Sequence, residues 1–286
     1  MSYVVTGATG RLGGLIVDGL LAAGVPAGEV AAVVRNEGKA ARLRDVGVEI
    51  RVADYDDTEA LRTAFRAGDR VVFVSGSDLE RRAAQHRNVV AAAREAGVAL
   101  LAYTGILGGP EADLLLAADH KATEQAILDS GLPYTFLRNG WYHEVYTETI
   151  PQILERGAVI ASAGEGRVAT AARADYAAAA VAVLTGEGHE GKAYELCGDT
   201  AWSFAEFAAE LSKQTGREIP YRALTAAEHK EVFVGAGLPG PVADVLVDID
   251  RAIERGLLVR TTGDLARLIG RPPTSLADAI ATALKD

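Results

Sequence analysis

Tyr3-Val-Val-Thr-Gly-Ala-Thr-Gly-Arg-Leu-Gly-Gly14 is the stretch whose reading decides the fold. A short apolar strand runs into glycines at positions 7, 10 and 13, the spacing of a dinucleotide-binding turn. Gly7 permits the tight turn off the strand, Gly10 lets the backbone approach a pyrophosphate, and Gly13 lets the next helix pack close to the sheet. That helix, read from about Arg11 to Ala23, aims its free N–H groups and positive dipole end at the phosphates. A second apolar strand, Val30–Val34, arrives about twenty residues later, as the fingerprint requires. Gly7, Thr9, Gly10, Arg11, Leu12 and Gly13 are therefore expected on the cofactor.

The residue after that second strand bears on which dinucleotide binds. An NAD site places an acid there for the ribose hydroxyls, whereas this chain has Arg35 followed by Asn36. A planar guanidinium can grip two oxygens of a 2′-phosphate, and Lys39 or Arg42 can add charge from the next helix. NADP(H) is expected in preference to NAD(H). Glu37 keeps the other assignment open, because it can serve a ribose hydroxyl while Arg35 points into solvent.

Working outward, 286 residues suffice for a full hydrophobic core. A net charge of −10 argues against a nucleic-acid surface or an anionic-membrane surface. The basic residues Arg81, Arg82 and Arg87 read as one solvated helix face. A single cysteine, Cys197, excludes an internal disulfide and a cysteine-based metal cluster, and no metal is expected. No apolar run approaches the roughly eighteen residues of a membrane span. The first strand begins too early for a signal peptide, so a cytoplasmic, soluble protein with no membrane partner is expected.

Strands and helices then alternate in the order of a Rossmann-type, doubly wound α/β parallel sheet. The predicted strands are 48–53, 70–74, 99–103 and 134–137; the predicted helices are 58–66, 79–96 and 114–130. Ligands in such sheets lie beyond the carboxyl ends of the strands. There the chain carries Asp54-Tyr55, Ser75-Gly76-Ser77, Thr104-Gly105 and Arg138-Asn139-Gly140-Trp141-Tyr142. Asn139 can bond a nicotinamide carboxamide. Trp141 and Tyr142 form either an aromatic wall for a flat substrate or ordinary packing at a helix start.

These motifs, together with Val33-Val34-Arg35-Asn36, Gln85-His86-Arg87-Asn88-Val89, Ala102-Tyr103-Thr104 and Arg173-Ala174-Asp175-Tyr176-Ala177, resemble the NmrA-like branch of atypical short-chain dehydrogenases. Within that branch the chain is most similar to the bacterial quinone oxidoreductases of type 2, with the triphenylmethane reductases nearby. The resemblance implies an NADPH site on Gly7, Gly10, Gly13 and Arg35, with Ser75 and Asn139 along the cofactor cleft; Gly76 and Thr104, at the strand ends, are expected on the cofactor as well. It also implies a smaller, mostly helical C-terminal α/β region over the nicotinamide end. The expected division is 1–155, with 173–186 packing back on it, and an interleaved region over 156–286. In that region 191–196 and 219–222 read as strands, and Ser203 with Glu206 as a capping box.

Reduction of ketones in such folds uses Tyr-x-x-x-Lys, and none of the nine tyrosines here is followed four residues later by lysine. A quinone suits a site without that acid, because its reduction yields a stabilised phenolate-like anion and the protein mainly orients two flat rings. The expected catalytic residues are Asn139, His120 and Tyr142. His120 either protonates product or lines the cleft, with Glu124 one helical turn away to orient it or raise its pKa. The expected partner is a small planar, quinone-like electron acceptor, and a homodimer is compatible with the sequence. Two further readings stand beside it: a reductase of triarylmethane or azo dyes, and a non-catalytic NADP(H)-binding redox sensor.

Overall fold

The structure, a computed structural model, describes residues 1–285. Its first half alternates β1 (Tyr3–Thr6), α1 (Arg11–Ala22), β2 (Val30–Val34), α2 (Ala41–Asp45), β3 (Glu49–Val52), α3 (Thr58–Ala64), β4 (Arg70–Phe73), α4 (Arg82–Ala96), β5 (Leu100–Ile106), α5 (Ala117–Ser130) and β6 (Tyr134–Asn139). After β6 come α6 (Glu144–Thr147), α7 (Ile150–Arg156), β7 (Val159–Ala161), β8 (Arg167–Val168), α8 (Arg173–Thr185) and β9 (Lys192–Leu196). The chain continues through β10 (Trp202–Ser203), α9 (Phe204–Thr215), β11 (Tyr221–Ala223), α10 (Ala226–Gly235), α11 (Gly240–Glu254), α12 (Asp264–Ile269) and α13 (Leu276–Ala283).

Seven strands form one parallel sheet in the order β3-β2-β1-β4-β5-β6-β9, and the order reverses between β1 and β4. That reversal opens a crevice beyond the strand ends. Alternate residues serve opposite faces: Val4 packs with Leu61, Phe73 and Val89 under α3–α5, and Val5 with Ile16, Leu20 and Tyr176 under α1 and α8. Helix α8 lies so close on α1 that a Cβ at Gly19 would come within 2.9 Å of Val181.

Three differences from the sequence reading matter for the site. Strand β5 runs three residues beyond Tyr103 and β6 two beyond Leu137, because their parallel pairing continues through Thr104↔Leu137, Gly105↔Arg138 and Ile106↔Asn139. Thr104 and Asn139 are thus strand residues rather than loop residues. Helix α4 starts at Arg82 rather than Leu79, since Asp78 accepts the N–H groups of Glu80 and Arg81 in a turn ahead of it. Finally, Lys192–Leu196, expected in the smaller region, is the seventh strand of the main sheet, beside β6.

The remaining strands pair as β7 with β11 and β8 with β10 around a second core of Ile153, Trp202, Phe204, Phe207, Leu211 and Ile253. Helix α9 starts at the expected capping box: Ser203 Oγ accepts from Glu206 N at 3.3 Å, and the Glu206 carboxylate accepts from Ser203 N at 2.9 Å. Among the described residues no helix is long and apolar enough to cross a membrane, and no cluster of metal-binding side chains occurs.

Candidate functional site

A cleft of about 710 Å³ opens beyond the carboxyl ends of β1, β2 and β4. Its walls include Gly7, Thr9, Gly10, Arg11, Leu12, Gly13, Arg35, Ser75 and Gly76. Local sterics build the glycine turn. Gly7 has a φ of +59°, a conformation that favours glycine. A Cβ on Gly13 would sit 2.3 Å from the Gly7 carbonyl oxygen, and one on Gly10 3.1 Å from the same atom. The turn closes by a hydrogen bond from Gly10 N to Gly7 O at 2.8 Å.

The opposite wall is held from behind. Ser75 N donates to Thr104 Oγ1 at 2.9 Å, and Gly76 N donates to His86 Nε2 at 2.9 Å. Thr104 is buried and does not line the cleft, contrary to expectation; pairing inside β5 places it beneath the Ser75 loop as a support. His86 must accept at Nε2, so its Nδ1 carries the proton and donates to Thr123 Oγ1 at 2.8 Å. The Thr123 hydroxyl in turn donates to the Asp119 carbonyl. Burial, with smaller contributions from His120 and Arg82, lowers the His86 pKa to about 3 and keeps the ring neutral. Nearby, the Tyr55 hydroxyl donates to Val74 O at 2.9 Å, fixing the adjoining wall.

Arg35 leaves the end of β2 with 78% of its side chain exposed, and its Nε lies 3.9 Å from Asp54. Lys39 and Asn36 flank it on the cleft. The alternative acid, Glu37, pairs with Arg44 at 2.6 Å, and Arg42 pairs with Asp18 at 2.8 Å. Neither Glu37 nor Arg42 lines the cleft.

The residues after β5 and β6 behave differently. Asn139 is 6% exposed, lies off the cleft wall, and its Oδ1 has no hydrogen-bond partner. Trp141 Nε1 and the Tyr146 hydroxyl are also buried without a well-formed hydrogen bond, but they lie close to each other in the smaller core, where Trp141 opposes the rise that burial causes in the Tyr146 phenol. An unmet buried polar atom is costly, and Asn139 Oδ1 marks a place where a ligand can supply the missing donor. The expected aromatic wall is split: Trp141 packs into the smaller core, whereas Tyr142 packs edge-on to Tyr176 at 5.2 Å with the Arg173 guanidinium over its ring. Burial raises the Tyr142 phenol, opposed by Asn139 and Arg173, so it remains protonated at neutral pH.

His120 does not meet Glu124. Its Nδ1 lies 2.7 Å from the Tyr103 hydroxyl, and burial with the Arg82 charge lowers its pKa to about 3, opposite to the expected rise. Both oxygens of Glu124 accept from Arg138, at 2.9 and 2.8 Å. Arg138 also reaches Glu195 on β9 at 2.8 Å, and the other Glu195 oxygen accepts from Gly108 N at 2.6 Å. A Cβ on Gly109 would fall 2.2 Å from the Arg138 guanidinium carbon. Arg138 therefore clamps the β5–α5 loop to β6 and β9, a role the sequence reading missed; its signal was a charge on a buried strand opposite a Gly-Gly pair. Beyond that clamp lies a slot of about 200 Å³ between Leu107–Leu114 and Gly256–Arg260, and Leu107 N donates to Asn139 O at 2.9 Å.

Comparison with known proteins agrees with this geometry. The family described as NAD(P)H-binding matches residues 7–187. Quinone oxidoreductase 2 of Escherichia coli is 45% identical over 276 residues, 96% of each chain. The crystal structure of the NADPH-dependent quinone oxidoreductase of Escherichia coli complexed with NADPH has a TM-score of 0.96 at 44% identity and covers 99% of both chains. Triphenylmethane reductase of Citrobacter sp. complexed with NADP(H) has a TM-score of 0.94 at 42% identity, covering 99% of this chain and 100% of that one. The chain belongs to the NAD(P)H-binding family, in its NmrA-like branch.

Proposed function

We propose that this protein is an NADPH-dependent reductase that passes a hydride to a small planar quinone. The observation that carries the reading is Arg35, an exposed guanidinium at the end of β2, only loosely paired with Asp54 at 3.9 Å, on the wall of a glycine-cradled cleft. It suits a 2′-phosphate, and the nearby acid that would suit a ribose hydroxyl is bound elsewhere. The Escherichia coli and Citrobacter relatives, complexed with NADPH and NADP(H), support the same cofactor.

When bound, NADPH supplies the hydride. In this reading the turn of Gly7, Thr9, Gly10, Arg11, Leu12 and Gly13 would hold the pyrophosphate at the α1 N-terminus. Ser75 and Gly76 lie along the dinucleotide, and Thr104 and His86 hold them in place from behind. Asn139, buried and off the cleft wall, has an Oδ1 without a donor and would accept from the nicotinamide carboxamide. Tyr142 keeps its proton and can donate to a developing quinone oxyanion. His120 is neutral and bound to Tyr103, which supports a structural role for it rather than that of general acid.

The slot between the β5–α5 loop and Gly256–Arg260, whose Leu107 N–H bonds the Asn139 carbonyl, is assigned to the acceptor in this reading. Its volume of about 200 Å³ is below the roughly 300–1,000 Å³ of drug-sized pockets and favours one or two fused rings. The relation to triphenylmethane reductase supports dye reduction as the second reading. The test is NADPH oxidation by the purified protein with a benzoquinone, a naphthoquinone, a triarylmethane dye or no acceptor, repeated with NADH. Quinone-dependent oxidation that prefers NADPH is expected. Tight NADPH binding without acceptor-dependent oxidation would replace the enzyme with a cofactor sensor.

A further inference from the structure

Arg11 stands at the first position of α1, on the wall of the cofactor cleft and at the anion-binding end of the helix. Its guanidinium is not free. It pairs with both carboxylate oxygens of Glu148, which follows α6 in the chain. The two side chains are 68% and 46% exposed, and an exposed pair of this kind contributes little to stability and exchanges readily.

Glu148 has a second cation in reach. Arg173 Nη1 lies 3.5 Å from Glu148 Oε1, and this arginine is fixed: its side chain is 15% exposed, its backbone N–H donates to Glu144 at 2.8 Å, and its guanidinium covers the Tyr142 ring at 5.2 Å. One carboxylate thus sits between a cation on the pyrophosphate turn and a cation on the Tyr142 segment.

We infer that Glu148 is a built-in competitor for the pyrophosphate, pairing with Arg11 and yielding it to the cofactor, while Arg173 retains the released carboxylate. The inference rests on the cofactor reading above. A doubly charged pyrophosphate, backed by the α1 N–H groups, outweighs a solvated carboxylate for the same guanidinium. The exchange also unties the glycine turn from the segment that carries Trp141 and Tyr142, so cofactor entry loosens the acceptor side.

Calorimetric titration at low ionic strength with NADPH and with adenosine 2′-monophosphate, which has no pyrophosphate, tests the exchange. Glu148→Gln is expected to bind NADPH roughly two- to fivefold tighter, with the gain shrinking at high salt and adenosine 2′-monophosphate unaffected. In an Arg11→Gln background the gain disappears. Unchanged or weaker NADPH binding by Glu148→Gln, an equal gain for adenosine 2′-monophosphate, or a gain that survives without Arg11 would each overturn it. Failure of the unaltered protein to bind NADPH overturns the cofactor reading and this inference together; normal binding with no response to Glu148→Gln overturns the exchange alone.

Discussion

At the end of β4 the backbone N–H groups of Ser75 and Gly76 are bound to Thr104 and His86, and the adjoining Val74 carbonyl to Tyr55. At the end of β6, Asn139 buries its side-chain carbonyl oxygen with no partner. One side of the crevice is finished, its polar groups met by the protein itself, and the other leaves one unmet. The difference suits a division of labour in which a common cofactor meets a preformed groove and a variable acceptor completes its own site. The finished side also keeps its strongest ligand-binding charge, Arg35, exposed, whereas the other side spends Arg138 on its own scaffold.

The largest expected effect tests that scaffold. Arg138→Met leaves the buried Glu124 carboxylate without a cation and is expected to cost about 3–5 kcal/mol in urea unfolding. A loss below about 1 kcal/mol would mean that the β6 end is not held by this network. On the finished side, Gly13→Ala drives a Cβ against the Gly7 carbonyl. We expect a loss of about 1–3 kcal/mol in thermal unfolding, with NADPH affinity falling alongside it. Arg35→Glu is expected to weaken NADPH by about 2 kcal/mol while leaving NADH nearly unchanged, read as dissociation constants. Equal losses for both cofactors would remove Arg35 from its role.

Acid should act on the support behind the finished wall. His86 and His120 are buried and neutral, with native pKa values of about 3 against an unfolded value of about 6.5. Because the unfolded chain takes up these protons first, their contribution is complete above pH 6.5 and is lost as pH falls toward 3. Each is expected to contribute a slope of about 1.4 kcal/mol per pH unit in that window. His120→Gln should flatten stability against pH by one such slope. The smallest effect is on turnover: the same variant is expected to keep kcat within about twofold at neutral pH, and a large loss would restore His120 as the acid.

The cofactor turn was legible because each of its constraints is local. Gly7, Gly10 and Gly13 are required by contacts within a few residues of themselves, so spacing alone reveals them. The support residues were not legible for the opposite reason. Thr104 looked like a loop residue because the apolar run stops at Tyr103, while pairing with β6 carries the strand on to Ile106. His120 and Glu124 share a helix face, which predicts a pair, but Arg138 offers Glu124 two charge-assisted bonds that a buried neutral imidazole cannot match. Spacing offers Lys39 or Arg42 as added charge beside the 2′-phosphate, but Asp18, 24 residues before Arg42, binds that guanidinium.

The sequence by itself determined the Rossmann-type sheet, the glycine cradle, the cation at the end of β2 and the capping box at Ser203, all of which follow from side-chain periodicity and short-range sterics. Only the tertiary structure decided that β9 returns to flank β6, that Arg138 bridges Glu124 to a partner 57 residues away, and that Arg11 is shared with Glu148 across 137 residues of chain. Such pairings depend on which side chains the folded backbone brings within hydrogen-bond reach. Among many acids and arginines of equal chemistry, spacing along the chain does not select the partner.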